Sequence, residues 1–150
     1  MSLAGNPFRA RFEMPAGAEP FVIQFSGRMG YSQGLETVIE AWRLLDDLPD
    51  ARLMMVGDGQ AAPMVAEALA DDDRALVLPT QDRAVLPDLL GAADVGLAPL
   101  RAGMAATCIP SKIFGILAAG RPYLTNAPQE SELFRITLPS KVIPTQVVIY

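Results

Sequence analysis

The chain contains no histidine and a single cysteine, Cys108, among 150 residues. The first absence excludes Ser-His-Asp triads, Cys-His dyads and His-ligated zinc within the chain. The second excludes an internal disulfide or a cysteine cluster for metal, and it fits a reducing compartment. Basic residues are outnumbered, 12 Lys+Arg against 17 Asp+Glu for a net charge of −5, which argues against a nucleic-acid or anionic-membrane surface as the main partner. No window reaches the ~18 uninterrupted apolar residues of a membrane span. The first 20 residues are polar and punctuated by Pro and Gly, without the apolar core of a signal peptide. A cytoplasmic location is the expectation from these absences.

Hydrophobic residues make up 51% and charged ones 19%, a globular balance that sets wholesale disorder aside. The length suits one domain, in which folding hides roughly 70% of the extended chain's surface. Along the chain, short apolar runs alternate with helical periodicity. FVIQFS at 21–26 reads as a strand stopped by Gly27; Leu35, Val38, Ile39, Trp42 and Leu45 then recur at the helical period. Further strands are expected at 52–56, 75–78, 94–99 and 123–125, with helices marked by Val65 and Leu69, by Leu86 and Leu89, and by Ile113, Phe114 and Leu117. A short helix is expected over 131–136.

Strands that are apolar without strict alternation are covered on both faces, so five βα units predict a doubly wound, Rossmann-like parallel sheet with helices on both faces. Residues 1–20 read as a lead-in and interdomain linker, 21–136 as the folded domain, and 137–150 as a tail. The β-rich end of that tail predicts pairing either along a sheet edge or with a second chain, a homodimer through the C-terminal strand.

Ligands of such sheets sit at the carboxyl ends of the strands, which directs attention to the loops. The segment Gly27-Arg28-Met29-Gly30-Tyr31-Ser32-Gln33-Gly34 joins a strand to an amphipathic helix; its glycines allow close backbone approach and Arg28 can grip a phosphate. Gly57-Asp58-Gly59-Gln60-Ala61-Ala62 formally fits the dinucleotide fingerprint, but the acidic residue expected about 20 positions on is missing; Pro79-Thr80-Gln81 stands there and Asp82 arrives late. A tight glycine turn explains the match equally well. Asp71-Asp72-Asp73 invites a metal reading, against which a solvated run at a helix end is favoured. The most specific segment puts Pro110, Ser111 and Lys112 at the start of a helix after the fourth strand, where a hydroxyl and a positive charge face the crevice and a phosphate-bearing ligand is the natural occupant. Cys108 reads as a small core filler.

Gly27-Arg28, Val56-Gly57-Asp58-Gly59, 93–99 (ADVGLAP) and Pro110-Ser111-Lys112 followed by 118–122 (AAGRP) occur in an order that resembles the C-terminal half of GT-B fold glycosyltransferases. The nearest branch is the retaining family-4 (group 1) enzymes of the bacterial surface-polysaccharide type, matched from about Asn6 to Ile136. The resemblance implies one half of a GT-B fold and a metal-independent, retaining transfer from a nucleotide-diphosphate-sugar donor, with no cofactor. It implies that this half binds the donor, that an N-terminal acceptor-binding domain is a further partner, and that the full enzyme works in the cytoplasm or at the inner face of the membrane. It assigns Gly27, Arg28, Gln33, Thr107, Cys108, Ser111 and Lys112 to the diphosphate, with Thr80 and Gln81 near the base, and no catalytic residue to this chain. Three departures stand out, one being that the family continues well beyond Glu132 with another strand and helices that the tail to Tyr150 does not resemble. Gln33 replaces a lysine common in the family, and Thr107 and Gly115 occupy the places of its two glutamates. Lys112 is then a candidate to replace part of the lost charge. The chain alone is expected to bind donor weakly and not to turn over. Two other readings remain at this point, a nicotinamide- or flavin-binding module and a non-catalytic remnant of the fold.

Overall fold

The apolar runs do become strands, and the glycine or proline that follows each of the first four sends the chain back over the sheet. The computed structural model describes residues 5–104, 109–126, 132–133 and 147–148. Its strands are β1 (Phe21–Ser26), β2 (Ala51–Val56), β3 (Ala75–Leu78), β4 (Val95–Leu97), β5 (Tyr123–Thr125) and β6 (Val147–Val148). All pairings are parallel, in the order β3-β2-β1-β4-β5-β6, with Ile23 opposite Leu53 on one side and Val95 on the other. This is the doubly wound order. β6 continues the sheet of its own chain, which is the first of the two pairings expected for the tail.

Alternation along the strands divides the core by face. Ile23, Phe25, Leu53, Met55, Val77 and Leu97 meet α1 (Leu35–Arg43) and α2 (Ala62–Ala68) on one side. Val22, Met54, Val56 and Leu78 meet α3 (Leu86–Gly91) on the other, and Tyr123 and Ala98 meet α4 (Lys112–Ala118). α1 buries Leu35, Ile39 and Trp42, one stripe at i, i+4 and i+7. α4 lies against the sheet at Gly96, where a Cβ would stand 2.7 Å from the Ile116 side chain. Gly96 is thus a packing requirement rather than a weak point of the strand.

Two segments differ from expectation. β4 covers 95–97 rather than 94–99: Asp94 and Ala98 each still donate one bond to a neighbouring strand, at 2.9 and 2.8 Å, and Pro99 has no N–H to carry the ladder on. The lead-in is no free linker: Phe8 and Phe12 join the α3 face of the core, and Arg9 is buried with them. Arg9 Nη1 donates to Asp94 Oδ2 at 2.7 Å and to the Ala92 carbonyl at 2.9 Å, while Nη2 donates to the Pro20 carbonyl. The same Asp94 oxygen accepts the Val22 N–H at 2.7 Å. Of the helix expected over 131–136, Glu132 and Leu133 are described as helical, and Leu133 is buried beside α4.

Candidate functional site

Because the strands are parallel, their carboxyl ends and the loops that follow gather at one edge of the sheet. β1 and β4 are neighbours there, and the chain leaves them toward opposite sides, β2 and β5. The crevice between such diverging loops is where α/β sheets hold ligands.

Residues 27–34 build the β1 side. Gly27 and Arg28 are exposed, whereas Met29 is wholly buried. Met29 anchors the segment: its N–H donates to the Asp58 carbonyl at 2.6 Å and its own carbonyl accepts from Ala61 N–H at 2.9 Å. Tyr31–Gln33 form one 3₁₀ turn, ended by Gly34 in the left-handed conformation (φ +59°) just before α1. The β4 loop is tied to this turn. Arg101 N–H donates to the Ser32 carbonyl at 2.9 Å, Arg101 Nε donates to the Tyr31 carbonyl at 2.7 Å, and the guanidinium pairs with Glu36. Behind it, the Asn126 side chain brackets Leu100, accepting its N–H and donating to its carbonyl, both at 2.8 Å.

Lys112 closes the crevice from the α4 side. Its Nζ donates to Gln33 Oε1 at 2.7 Å and stands 3.5 Å from the centre of the Phe25 ring, at the end of β1. Partial burial pushes its ammonium down from 10.5 to about 7, since a ring face and one amide oxygen take the place of much of its water. Gly27 is beside it; a Cβ there would be 3.9 Å from Nζ. Gly27, Gln33 and Lys112 therefore converge, with Arg28 on the same turn and Ser111, exposed and making no side-chain cap bond, one residue before the lysine. Thr80 and Gln81 follow β3, two strand spacings or about 10 Å from β1 along the same edge. Gln81 spends its amide on the Pro79 carbonyl at 2.7 Å. Thr107 and Cys108 lie outside the described residues.

The fingerprint-like turn has a different occupant from a dinucleotide. Gly57 has φ +147°, and a Cβ on it would lie 1.9 Å from the Gly27 carbonyl oxygen; one on Gly59 would lie 2.6 Å from that of Met29. The space that these glycines keep open is filled by the β1 loop, so the tight-turn reading is the correct one. Asp82, the late acidic residue, accepts the Ala84 N–H at 2.8 Å and caps a 3₁₀ turn at Arg83–Val85. Asp72 is likewise committed: it accepts from Trp42 Nε1 at 2.6 Å and from Arg74 N–H at 2.9 Å. Among the described residues no three carboxylates or thiols gather as a metal site.

Arg101, Asn126 and Phe25 escaped the sequence reading. Each acts through a partner far along the chain, and neither periodicity nor motif spacing carries that information. An apolar cavity of about 320 Å³ also opens beneath these loops, between α1 (Val38, Trp42, Leu45) and the strands at Ile23, Leu97 and Leu124.

Comparison with known proteins gives the architecture relatives. Residues 20–135 match the family described as glycosyl transferases group 1. WcaI of Escherichia coli (strain K12), named for colanic acid biosynthesis as a glycosyl transferase, is 34% identical over 132 residues, covering 85% of this chain and 31% of WcaI. The glycosyltransferase WbjE of Pseudomonas aeruginosa is 31% identical over 120 residues, covering 77% of this chain and 29% of WbjE. The chain thus spans about three-tenths of the length of these curated relatives. Anabaena HepE, solved with UDP-glucose, superposes with a TM-score of 0.64 at 17% identity, covering 86% of this chain and 35% of HepE. No described helix is long and apolar enough to cross a membrane.

Proposed function

The chain belongs to the group 1 glycosyl transferases of GT-B fold, and from that premise we propose that it is the donor-binding half of a retaining enzyme. The donor is a nucleotide-diphosphate sugar, seated between the β1 and β4 loops. The acceptor is held by a separate domain, and the product is a polysaccharide or glycoconjugate made at the cytoplasmic side of the cell. The observation that carries this reading is the Lys112–Gln33 bridge, which joins the two sides of the switch-point crevice beside the exposed Arg28.

Departure of a nucleoside diphosphate leaves negative charge on its terminal phosphate. Two cationic side chains at the crevice, Arg28 and Lys112, stabilise that charge more in the transition state than in the ground state, the electrostatic contribution to rate. The arginine fork can take two phosphate oxygens at once, and Gly27 puts no side chain in the way of the same group. Ser111 offers a hydroxyl next to Lys112. On this reading the leaving group is neutralised by side chains and needs no metal ion. Gln33 then has a purpose in place of the family's lysine: it holds a lysine that arrives from α4.

Titration of the chain with UDP, GDP and NAD to millimolar concentration, followed by NMR or calorimetry, tests the proposal. One of the two nucleoside diphosphates is expected to bind saturably and shift amides over 27–34, with NAD silent. Arg28→Ala and Lys112→Ala should each weaken binding by about tenfold or more, the worth of one charge-assisted contact. Saturable NAD binding with no response to UDP or GDP would return the fold to a dinucleotide role. Silence toward all three would leave a remnant without its site.

A further inference from the structure

Lys112 has an unusual setting for a phosphate ligand. An ammonium has three donors and, in water, a full hydration shell. Here, among the described residues, the half-buried lysine's one hydrogen-bond acceptor is the neutral Gln33 Oε1, and its Nζ lies over the face of the wholly buried Phe25 ring. No carboxylate pairs with it among the described residues. The charged or titratable groups on the surrounding elements are Arg28 and Tyr31 on the β1 loop, Glu36, Glu40 and Arg43 on α1, Asp58 on the β2 loop, Arg101 on the β4 loop and Tyr123 on β5; α4 carries none besides Lys112. Glu36 is taken by Arg101. Arg28, on the adjoining turn, adds charge of the same sign. The ring attracts a cation, but this and one amide oxygen are a small replacement for water.

We propose that Lys112 is a proton-loaded anion clamp: Gln33 holds its Nζ at the crevice, and the lysine takes up a proton as the diphosphate of the donor arrives. This rests on the donor-binding reading and adds to it a stoichiometric partner, one proton, drawn from solvent. The balance is simple. A neutral amine and a hydrated proton become an ammonium, which pairs with the diphosphate, and no bond in the ligand changes. The direction of the linkage follows from burial, which leaves the free lysine titrating at about 7. Below that pH the clamp is already charged and binding exchanges no proton. Above it, each binding event must fetch one, so affinity falls by up to about tenfold per pH unit until the bound form itself titrates.

Calorimetry of the whole chain in buffers of different ionisation enthalpy reads the proton directly. UDP-glucose and GDP-mannose are suitable probes, because both phosphates are esterified and neither exchanges a proton of its own between pH 6 and pH 9. The expected uptake approaches about one proton per ligand at pH 8 and vanishes near pH 6. Gln33→Glu places a carboxylate on Nζ, keeps the free lysine charged, and should abolish the uptake; Lys112→Arg should do the same, since a guanidinium stays protonated. If a variant does not fold, the ¹³Cε shift of Lys112 in the unaltered chain, titrated with and without probe, gives the same answer as an upward move of its midpoint. Binding of a probe at pH 8 with no uptake and no such move overturns the clamp and leaves the donor site standing. Absence of binding at every pH overturns the donor site, and the clamp with it.

Discussion

Asp94→Ala is expected to lower stability by about 3–5 kcal/mol, the cost of leaving a buried charge without its partner. Native domains hold roughly 5–15 kcal/mol in total, so this one change removes a large share. The reason lies in what the carboxylate gathers. One oxygen receives both Arg9 Nη1 and the Val22 N–H, each at 2.7 Å, and through Arg9 it pins the lead-in to the first strand. Removing it leaves the buried guanidinium with the Ala92 and Pro20 carbonyls alone, and the Val22 amide without that acceptor. Asn6 adds a second pin, donating to the Asp88 carbonyl at 2.8 Å, so the lead-in should loosen rather than leave. Urea unfolding would give the number directly. A double cycle with Arg9→Met sharpens it: the pair should cost less than the sum of the singles, because the double variant has no orphaned charge. A loss under about 1 kcal/mol for Asp94→Ala would mean that the pair is worth no more than a solvated surface bridge.

Gly57→Ala comes next in size and reports on the site as well as on the fold. A Cβ at Gly57 would stand 1.9 Å from the Gly27 carbonyl oxygen and 2.9 Å from its carbon. The obstacle is backbone, so no rotamer change relieves it. Overpacking and the strained φ of +147° together should cost roughly 2–6 kcal/mol. The Gly27 turn must move away, and with it the backbone that faces the crevice, so the nucleoside-diphosphate response should be lost even under conditions where circular dichroism stays native. Gly103→Ala supplies the control. That glycine has φ +86° with nothing within 4 Å of its Cβ, so it carries backbone strain without collision, about 1–2 kcal/mol. Equal effects of the two changes would sink the collision argument.

The parallel order of βα units was legible because each of the first four strands is a short apolar run followed by Gly or Pro, and because α1 shows its buried stripe openly in Leu35, Ile39 and Trp42. The crevice was legible for the same reason, since topology alone puts the loops after β1 and β4 side by side. What the reading lacked were contacts made across the chain. Arg9 and Asp94 lie 85 residues apart, and Lys112 and Gln33 lie 79 apart. No local pattern marks such pairs. The lead-in therefore looked like a linker, although its two phenylalanines belong to the core. The Gly57–Ala62 turn left two readings level, a dinucleotide fingerprint and a tight turn. Its spacing is that of a ligand cradle, but glycine is needed wherever two backbones cross closely, whichever molecule the second backbone belongs to. Asp72 and Asp82 show the same ambiguity for carboxylates, which serve as caps and indole acceptors as readily as they hold ions or sugars.

The ties among the strand-tip loops have a consequence for any hydrogen-exchange experiment on this domain. Leu100 N–H is held by Asn126, and Arg101 N–H by the Ser32 carbonyl, so the tips of β5, β4 and β1 are linked in series. Segments joined in this way open together, at one free energy. A ligand that touches only the β1 turn should then slow exchange at Leu100 and Arg101 as well, and the protected footprint will be wider than the contact surface. Mapping a binding site on this protein by exchange alone would draw it too large, by the reach of those two clamps.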